Sequence, residues 1–303
     1  MNITTVGIVG RGALGMLVYD ILAKHPHIRA AFLMDDARFD AHKNDRMTVN
    51  GREVPVRLLR ASEASPVDLV IVAVKFPGLA SAMDTMSRAV GAQTTIISLL
   101  NGIASEGILA ERFGADRVIP TVAQGMDAVF LDNTLRYSSA GKLRVGITDA
   151  SMAARLDALI AFFEETGIPY VREADINYRL WSKFMLNVGV NQVCMVFDTG
   201  YGGAVKPGSL PRAVMVSAMR EARMLAEAEG VALTEADIEE HVAFLATLAP
   251  ELMPSMRQDR LKCRPSEVEL FAGTVLRLAA KHGIAAPVND WLYRRVKEIE
   301  AAY

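Results

Sequence analysis

The sequence predicts an α/β fold in which a doubly wound parallel sheet is followed by an all-helical C-terminal domain. Two observations support this prediction. Through the first half of the 303 residues, short and nearly continuous apolar segments alternate with helical stretches, as in parallel sheets covered by helices on both faces. After Arg172 the apolar spacing is almost entirely helical. We therefore place a first domain at residues 1–172 and a second at 173–303.

The strands of the first domain are predicted from apolar segments flanked by turn residues. They lie at 3–9, 30–34, 67–74, 94–100 and 117–122. Two alternating segments, 133–138 and 142–147, flank Ser139-Ala140-Gly141 and predict a hairpin. We expect this hairpin to add antiparallel edge strands to the sheet. A helix at 151–166 and a short strand at 170–171 complete the domain.

The second domain is predicted to contain helices at 175–196, 209–229, 234–248, 266–282 and 288–300. Ser266 and Glu269 have the spacing of a capping box, in which Ser266 caps the helix and Glu269 reaches back to its backbone. Thr234, Gly230 and Gly283 lie where helix ends are expected.

Composition and charge narrow the classes of function. Apolar residues make up 51% and charged residues 22% of the chain, and the formal net charge is −2. No run of like charges favours nucleic acid or a membrane surface as a partner. Cys194 and Cys263 lack the spacing of metal ligands and are expected to be reduced thiols. The sequence also lacks a signal peptide and a membrane-length apolar segment, which favours a soluble cytoplasmic protein without a metal.

A glycine-rich loop marks the predicted cofactor site. It follows the first strand and opens a helix, and Asp35 ends the second strand 20 positions after the last glycine. In Rossmann-type folds such glycines allow a tight turn, close approach of the pyrophosphate and packing of the helix on the strand. The helix N-terminus then offers N–H groups to the phosphates. We therefore assign the loop to a dinucleotide, through Gly10, Arg11, Gly12, Ala13, Leu14 and Gly15. The alternative is a glycine-rich turn that binds nothing.

The choice between NADH and NADPH depends on the end of the second strand. Asp35 and Asp36 are suited to accept hydrogen bonds from ribose hydroxyls and would repel a 2′-phosphate, which favours NADH. Arg38 is suited to hold that phosphate, which favours NADPH. The residues alone lean towards NADH, and both cofactors stay open.

A polar stripe on the first helix of the second domain predicts the catalytic site. Lys183, Asn187 and Asn191 are spaced i, i+4 and i+8, so they lie on one helix face, among apolar neighbours such as Trp181 and Phe184. Burying these polar groups without partners would cost on the order of a few kcal/mol each. A bound polar substrate would supply the partners. The alternative is a solvated stripe on the outer face of the helix.

Motifs along essentially the whole chain resemble the ketopantoate reductases (2-dehydropantoate 2-reductases). The matching motifs, in chain order, are Gly-Arg-Gly-Ala-Leu-Gly at 10–15, Val74-Lys75, Asn101-Gly102, Trp-Ser-Lys-Phe at 181–184 with its two trailing asparagines, Ser255-Met256-Arg257-Gln258-Asp259, Ser266-Glu267-Val268-Glu269, Gly273 and the segment 281–289. The resemblance implies NADPH as the usual cofactor. It also implies reduction of the 2-oxo acid ketopantoate to the 2-hydroxy acid pantoate, a step of pantothenate biosynthesis.

The resemblance further implies a role for each matching residue. Lys183 corresponds to the catalytic lysine, which polarises the substrate carbonyl and gives it a proton; an amine suits this role if a dry site lowers its pKa from about 10.4. Lys75 and Asn101 correspond to residues near the nicotinamide ribose and the carbonyl. Substrate binding is assigned to Asn101, Asn187, Asn191, Ser255 and Glu267. For Glu267, the alternative is a favourable charge in the first turn of the helix predicted at 266–282.

Two departures from the family pattern bear on substrate and cofactor. An asparagine expected beyond the stripe is missing, and Tyr201 lies near its place. The paired aspartates, Asp35 and Asp36, are unusual for a family that mostly uses NADPH. Two alternatives therefore stay open: a related 2-oxo or 3-hydroxy acid dehydrogenase with another substrate, and a dinucleotide sensor without turnover. The apolar helical second half is compatible with a homodimer.

Overall fold

The computed structural model of this chain describes residues 2–303. They divide into two compact units. The first unit holds the residues up to Asn101 together with Ser105–Ile176, and the second holds Gly102–Ala104 together with Asn177–Tyr303. The first unit is an α/β structure and the second is helical. The predicted fold class is confirmed.

Within the described residues, all strands lie in the first unit. They are β1 (Thr5–Val9), β2 (Arg29–Met34), β3 (Met47–Val49), β4 (Arg52–Val54), β5 (Leu58–Arg60), β6 (Leu69–Val72), β7 (Thr95–Ser98), β8 (Val118–Ile119), β9 (Thr121–Met126), β10 (Val129–Leu131), β11 (Thr134–Arg136), β12 (Ala140–Val145) and β13 (Tyr170–Arg172). The five strands predicted for the parallel sheet correspond to β1, β2, β6, β7 and β8.

The helices of the first unit are α1 (Ala13–Leu22), α2 (Asp36–His42), α3 (Leu79–Met86), α4 (Ser105–Phe113) and α5 (Ala153–Thr166). Those of the second are α6 (Ile176–Val196), α7 (Tyr201–Val205), α8 (Leu210–Ala228), α9 (Glu235–Ala246), α10 (Ser255–Leu261), α11 (Ala272–His282) and α12 (Pro287–Glu300). Across the described chain, none of these helices combines the length and apolar character needed to cross a membrane.

The main sheet has six parallel strands in the order β5-β2-β1-β6-β7-β8. Its two faces are covered by separate apolar clusters. One cluster joins Ile8 and Ile71 to Leu17 of α1, and the other joins Val70 to Met86 of α3. The order of strands reverses direction between β1 and β6, and ligands of such sheets bind outside the carboxyl ends of the strands at this point.

The remaining strands form two smaller sheets, β10-β11-β3-β4 and β13-β12-β9. The hairpin predicted around Ser139-Ala140-Gly141 was wrong, because β11 pairs with β10 and β3 whereas β12 pairs with β9 and β13. The tight turn lies instead at Asp132 and Asn133, both of which have positive φ, and it connects β10 to β11. The antiparallel strands expected here are therefore present, but they do not extend the edge of the main sheet.

Helix starts in the second unit depend on which partner each polar side chain finds. Thr234 caps α9 and forms a capping box with Asp237. The capping box predicted at Ser266 and Glu269 was wrong, because α11 begins only at Ala272. The Ser266 N–H and hydroxyl both donate to Glu300, at 2.7 and 2.6 Å, and Glu269 accepts from the Tyr293 hydroxyl at 2.7 Å. Ser266 and Glu269 therefore bond to residues distant in the sequence instead of capping a helix.

A buried polar cluster joins α6, α8 and α12. The Glu221 carboxylate accepts the backbone N–H groups of Val288 and Asn289 at 2.8 and 2.9 Å, and the Asn289 amide at 2.8 Å. The Asn289 Oδ1 in turn accepts from Gln192 at 3.1 Å. Glu221, Asn289 and Gln192 are all buried. An acidic side chain of α8 thus satisfies the free N–H groups at the start of α12.

Removing the central member of this cluster should destabilise the protein. We expect Asn289→Ala to lower the free energy of unfolding by about 2–4 kcal/mol, because it leaves a buried carboxylate and a buried amide with fewer partners. Chemical denaturation of the two proteins measures this difference. Gln258→Ala, which removes an exposed side chain bonded to a backbone carbonyl at 3.3 Å, is the control and should change stability by less than about 0.5 kcal/mol. Equal stability of Asn289→Ala and the unmodified chain would contradict the assignment.

Candidate active site

The glycine loop between β1 and α1 has the shape of a phosphate cradle. Gly10 has φ +109°, and a Cβ there would lie 2.4 Å from the Ala73 carbonyl oxygen. A Cβ on Gly15 would lie 2.0 Å from the Gly10 carbonyl oxygen. A Cβ on Gly12, by contrast, would meet nothing within 4 Å, and Gly12 gives α1 no side-chain cap. Two glycines are therefore required by packing, and the third leaves open space over the start of a helix, which fits a dinucleotide pyrophosphate.

Arg11 lies in this loop with its side chain turned into the protein. Its guanidinium, 9% exposed, donates to Asp45 at 2.6 Å and lies 3.0 Å from the His42 ring. His42 also contacts Asp45, at 2.9 Å. The Arg11 guanidinium holds the pKa of the Asp45 carboxyl below its usual value, so this carboxylate stays ionised at neutral pH. Arg11 therefore contributes its backbone to the loop, while its charge is already neutralised by Asp45.

The two aspartates after β2 point to different partners. Asp35 caps α2, since its carboxylate accepts the Arg38 N–H at 2.8 Å. Asp36 accepts from the Ser62 hydroxyl at 2.8 Å. Asp35 directly follows the last residue of β2, which is the position of the ribose-binding acid in dinucleotide folds.

Lys75 and Asn101 follow β6 and β7, which are neighbours of β1 in the sheet. Because these strands are parallel, their carboxyl ends share one edge. The structure thus brings Lys75 and Asn101 to the edge that carries the glycine loop. Asn101 is half-buried and Lys75 is exposed.

In the second unit, the polar stripe of α6 is placed on a helix that is otherwise packed into the core. Lys183 and Asn187 are half-buried, and Asn191 is 4% exposed. Trp181 and Phe184 beside them are buried and contact each other edge to face, with ring centroids 5.7 Å apart. The stripe is therefore not a solvated outer face, since each of its three residues is buried or half-buried.

A chain of hydrogen bonds orders the amides of this stripe. The Asn191 oxygen accepts the Ser255 hydroxyl at 3.1 Å and the backbone N–H of Met256 at 3.3 Å. Because a backbone N–H can only donate, the Asn191 atom facing Met256 must be Oδ1. Its Nδ2 therefore donates to Asn187 Oδ1, at 3.2 Å. The Nδ2 donor of Asn187 is left for another acceptor, one helical turn from Lys183.

The segment that orients Asn191 is a short helix that sequence reasoning missed. α10 begins at Ser255, and Arg260 from the same helix donates to the carbonyl oxygens of Met195 and Val196 at the end of α6. This guanidinium satisfies carbonyl groups that a helix end leaves unpaired. The seven residues of α10 are too few to show a helical period, so the only sequence signal was the family motif at Ser255.

Glu267 lies in a turn before α11 and is 9% exposed. Its carbonyl oxygen accepts the N–H of Leu270 at 2.9 Å. Leu270 packs on Gly102, where φ is +87° and a Cβ would lie 2.8 Å from the leucine side chain. Because α11 starts five residues later, the expected alternative for Glu267, a charge in the first turn of a helix, was wrong.

Cys194 and Tyr201 follow Asn191 in the sequence. The Tyr201 N–H donates to the Leu252 carbonyl at 2.9 Å, which fixes the start of α7 near the segment that leads into Ser255. Burial raises the pKa of the Tyr201 phenol. Burial also raises the pKa of the Cys194 thiol to about 12, so this thiol stays protonated and unreactive. Both cysteines are free.

Comparison with known proteins places this architecture in one family. Residues 6–150 match the family model "Ketopantoate reductase PanE/ApbA", and residues 175–300 match its C-terminal counterpart. The 2-dehydropantoate 2-reductase of Halobacterium salinarum is 30% identical over 294 residues, which cover 93% of this chain and 94% of that protein.

Solved structures show the same fold over nearly the whole chain. A D-mandelate dehydrogenase in complex with NADH has a TM-score of 0.85 at 22% identity, covering 98% of this chain and 99% of that one. A dimeric ketopantoate reductase from Staphylococcus aureus has a TM-score of 0.80 at 20% identity, with 98% and 99% coverage. With both family models and a curated relative matched along its length, the chain belongs to the ketopantoate reductase family.

Proposed function

We propose that this protein reduces ketopantoate, or a closely related 2-oxo acid, to the 2-hydroxy acid with NADH or NADPH, and that Lys183 is the general acid. The observation that carries the proposal is the ordered stripe of Lys183, Asn187 and Asn191 on α6, in a chain whose β1–α1 loop fits a dinucleotide. A lysine beside a directed amide donor suits a substrate that carries a carbonyl and a carboxylate.

Cofactor binding is assigned to the first unit. The loop from Gly10 to Gly15 would hold the pyrophosphate through backbone N–H groups and the start of α1. Asp35 would accept from the adenine ribose, and Lys75 and Asn101 would lie near the nicotinamide ribose. The reduced nicotinamide supplies a hydride to the 2-oxo carbon. Cofactor binding is thus assigned to the domain expected at 1–172, and substrate binding to the domain expected at 173–303.

The remaining chemistry belongs to side chains of the protein. The Lys183 ammonium donates a proton to the carbonyl oxygen as that oxygen gains negative charge, which leaves the lysine neutral and the product with a hydroxyl. Asn187 donates from Nδ2 to a substrate oxygen. Asn191 is a positioning residue, because both ends of its amide are already bonded within the protein. Ser255 and Glu267 have acceptor atoms for a substrate hydroxyl.

The experiment that tests this proposal follows cofactor absorbance with purified protein and ketopantoate, with NADPH and NADH in parallel. We expect steady oxidation of at least one cofactor that depends on ketopantoate concentration. A panel of other 2-oxo acids, including phenylglyoxylate, tests the alternative substrate, which the asparagine missing near Tyr201 leaves open. Tight cofactor binding without turnover of any 2-oxo acid would contradict the proposal and favour a dinucleotide sensor.

Glu267 offers a specific test of substrate binding by the second unit. We expect Glu267→Gln to lower kcat/KM by about 10-fold or more, because a carboxylate accepts a substrate hydroxyl through a charge-assisted hydrogen bond worth about 1.5–3 kcal/mol. Steady-state kinetics measure the loss. Glu269→Gln is the matched control, since Glu269 is exposed and bonded to Tyr293. Unaltered kinetics in Glu267→Gln would remove this residue from the substrate site.

We also propose a homodimer, the state named for the S. aureus ketopantoate reductase. The apolar helical second unit supports it. Light scattering coupled to size-exclusion chromatography would report a mass near twice that of the chain. A mass equal to one chain at micromolar concentration would contradict it.

A further inference from the structure

The charges at the carboxyl end of β2 bear on which cofactor this protein uses. In dinucleotide folds the adenine ribose lies at this end, and a 2′-phosphate distinguishes NADPH from NADH there. A site for that phosphate normally provides a guanidinium free to pair with it. The identity and partners of the arginines near this strand end are therefore informative.

Three guanidinium groups approach this region, and each is already paired with a carboxylate. Arg60 ends β5, the neighbour of β2, and its backbone is in register with Met34. Its side chain binds Asp40 with two hydrogen bonds, at 2.7 and 3.2 Å. It also lies 3.8 Å from Asp36 and stacks over the Phe39 ring at 4.3 Å. Asp40, Asp36 and Phe39 thus all contact the Arg60 guanidinium.

The other two arginines also lie beside carboxylates, Arg11 closely and Arg38 with a side chain that is 66% exposed. Arg38 lies 3.5 Å from Asp35, whose carboxylate also caps the helix. Arg11, in the glycine loop, is bound to Asp45 at 2.6 Å. The pKa of the Asp40 carboxyl is lowered to about 2 by hydrogen bonds from Arg60 and Lys43, so Asp40 is ionised at any working pH. Protonation of this carboxyl therefore cannot release Arg60 under physiological conditions.

From these contacts we infer that the protein selects NADH over NADPH, with Asp35 as the ligand of the adenine ribose. The carboxylates that keep the nearby guanidinium groups from a 2′-phosphate are those of Asp36, Asp40 and Asp45. The inference rests on the proposed dinucleotide site. A diol at this strand end meets carboxylate acceptors. A dianionic 2′-phosphate is repelled by the same carboxylates. It can bind a guanidinium only if an existing ion pair of that guanidinium breaks.

The test measures binding rather than turnover. Isothermal titration calorimetry of the full chain is carried out with NADH, NADPH, ADP-ribose and 2′-phospho-ADP-ribose. We expect NADPH to bind about 10-fold or more weakly than NADH, and 2′-phospho-ADP-ribose to bind about 10-fold or more weakly than ADP-ribose. Both differences should shrink as the salt concentration rises from about 0.05 to 0.5 M. Equal or tighter binding of NADPH overturns the inference and leaves the proposed function intact. Failure of all four probes to bind overturns both.

Variants identify the residues responsible. Asp40→Asn should release Arg60 and tighten NADPH binding about 5-fold or more while changing NADH binding less than about 2-fold. Asp36→Arg, which adds a guanidinium and removes a neighbour of Arg60, should shift the preference further towards NADPH. The control is Asp157→Asn, which removes one exposed carboxylate from an ion pair with Arg172 on α5 and β13. If Asp40→Asn and Asp36→Arg bind both cofactors as the control does, the charges at this strand end do not set the preference and the inference is overturned.

Discussion

Replacing Lys183 with alanine is expected to lower kcat by about 10²–10⁴, the usual range for loss of a general acid, while cofactor affinity stays nearly unchanged. The physical reason is that Lys183 lies on α6 in the second unit, whereas the cofactor loop lies in the first. Cofactor titration and steady-state kinetics on the same preparation measure the two effects.

The control for this variant is Lys206→Ala. Lys206 is an exposed lysine of the same unit, just after α7, and its loss should leave kcat within about 2-fold of the original. A Lys183→Ala enzyme that keeps more than about a third of kcat, with the chemical step shown to limit the rate, would remove Lys183 from the mechanism. Loss of cofactor binding would instead indicate a structural defect.

Asn187→Asp should lower kcat/KM by about 10–150-fold. The substitution keeps the oxygen that accepts from Asn191 but replaces the Nδ2 donor with a second, negatively charged acceptor. A hydrogen bond to a charged substrate group is worth about 1.5–3 kcal/mol, which converts to this range. The assay is the same 2-oxo acid reduction, with substrate varied at saturating cofactor.

Asn177→Asp is the matched control for that experiment. Asn177 is exposed in the first turn of the same helix, so an acid there is tolerated and should leave kinetics unchanged. Near-normal kcat/KM for Asn187→Asp would mean that the free amide donor does not face the substrate.

The parallel sheet was predictable because its strands are buried on both faces and therefore appear in the sequence as continuous apolar segments. The smaller sheets were not. β5 and β11 have only three residues each, and the pairing of β11 with β3 joins residues more than 80 positions apart. Such partners are chosen by packing across the fold rather than by local turn residues. The capping box predicted at Ser266 failed for the same reason, because a distant residue is the partner. The Ser266 hydroxyl donates to Glu300, 34 residues later in the chain.

The stripe on α6 was predictable from helical spacing alone, and Gly10 and Gly15 from the loop motif. The direction of the amide chain was not, because it is set by a backbone N–H, that of Met256, 65 residues from Asn191. Side-chain identity gives no indication of such a donor. For the same reason the sequence offers Arg38 as a cation for a 2′-phosphate, whereas the structure places its guanidinium 3.5 Å from Asp35.

The proposed reaction requires that hydride from a nicotinamide arrive at the carbonyl carbon of a 2-oxo acid on this protein. The most direct test uses a cofactor deuterated at C4 on the transferred face and analyses the product by NMR. We expect one deuterium at C2 of the 2-hydroxy acid for each cofactor oxidised, with the hydroxyl proton taken from solvent through Lys183. Oxidised cofactor without a 2-hydroxy acid, or a 2-hydroxy acid with only hydrogen at C2, would contradict it.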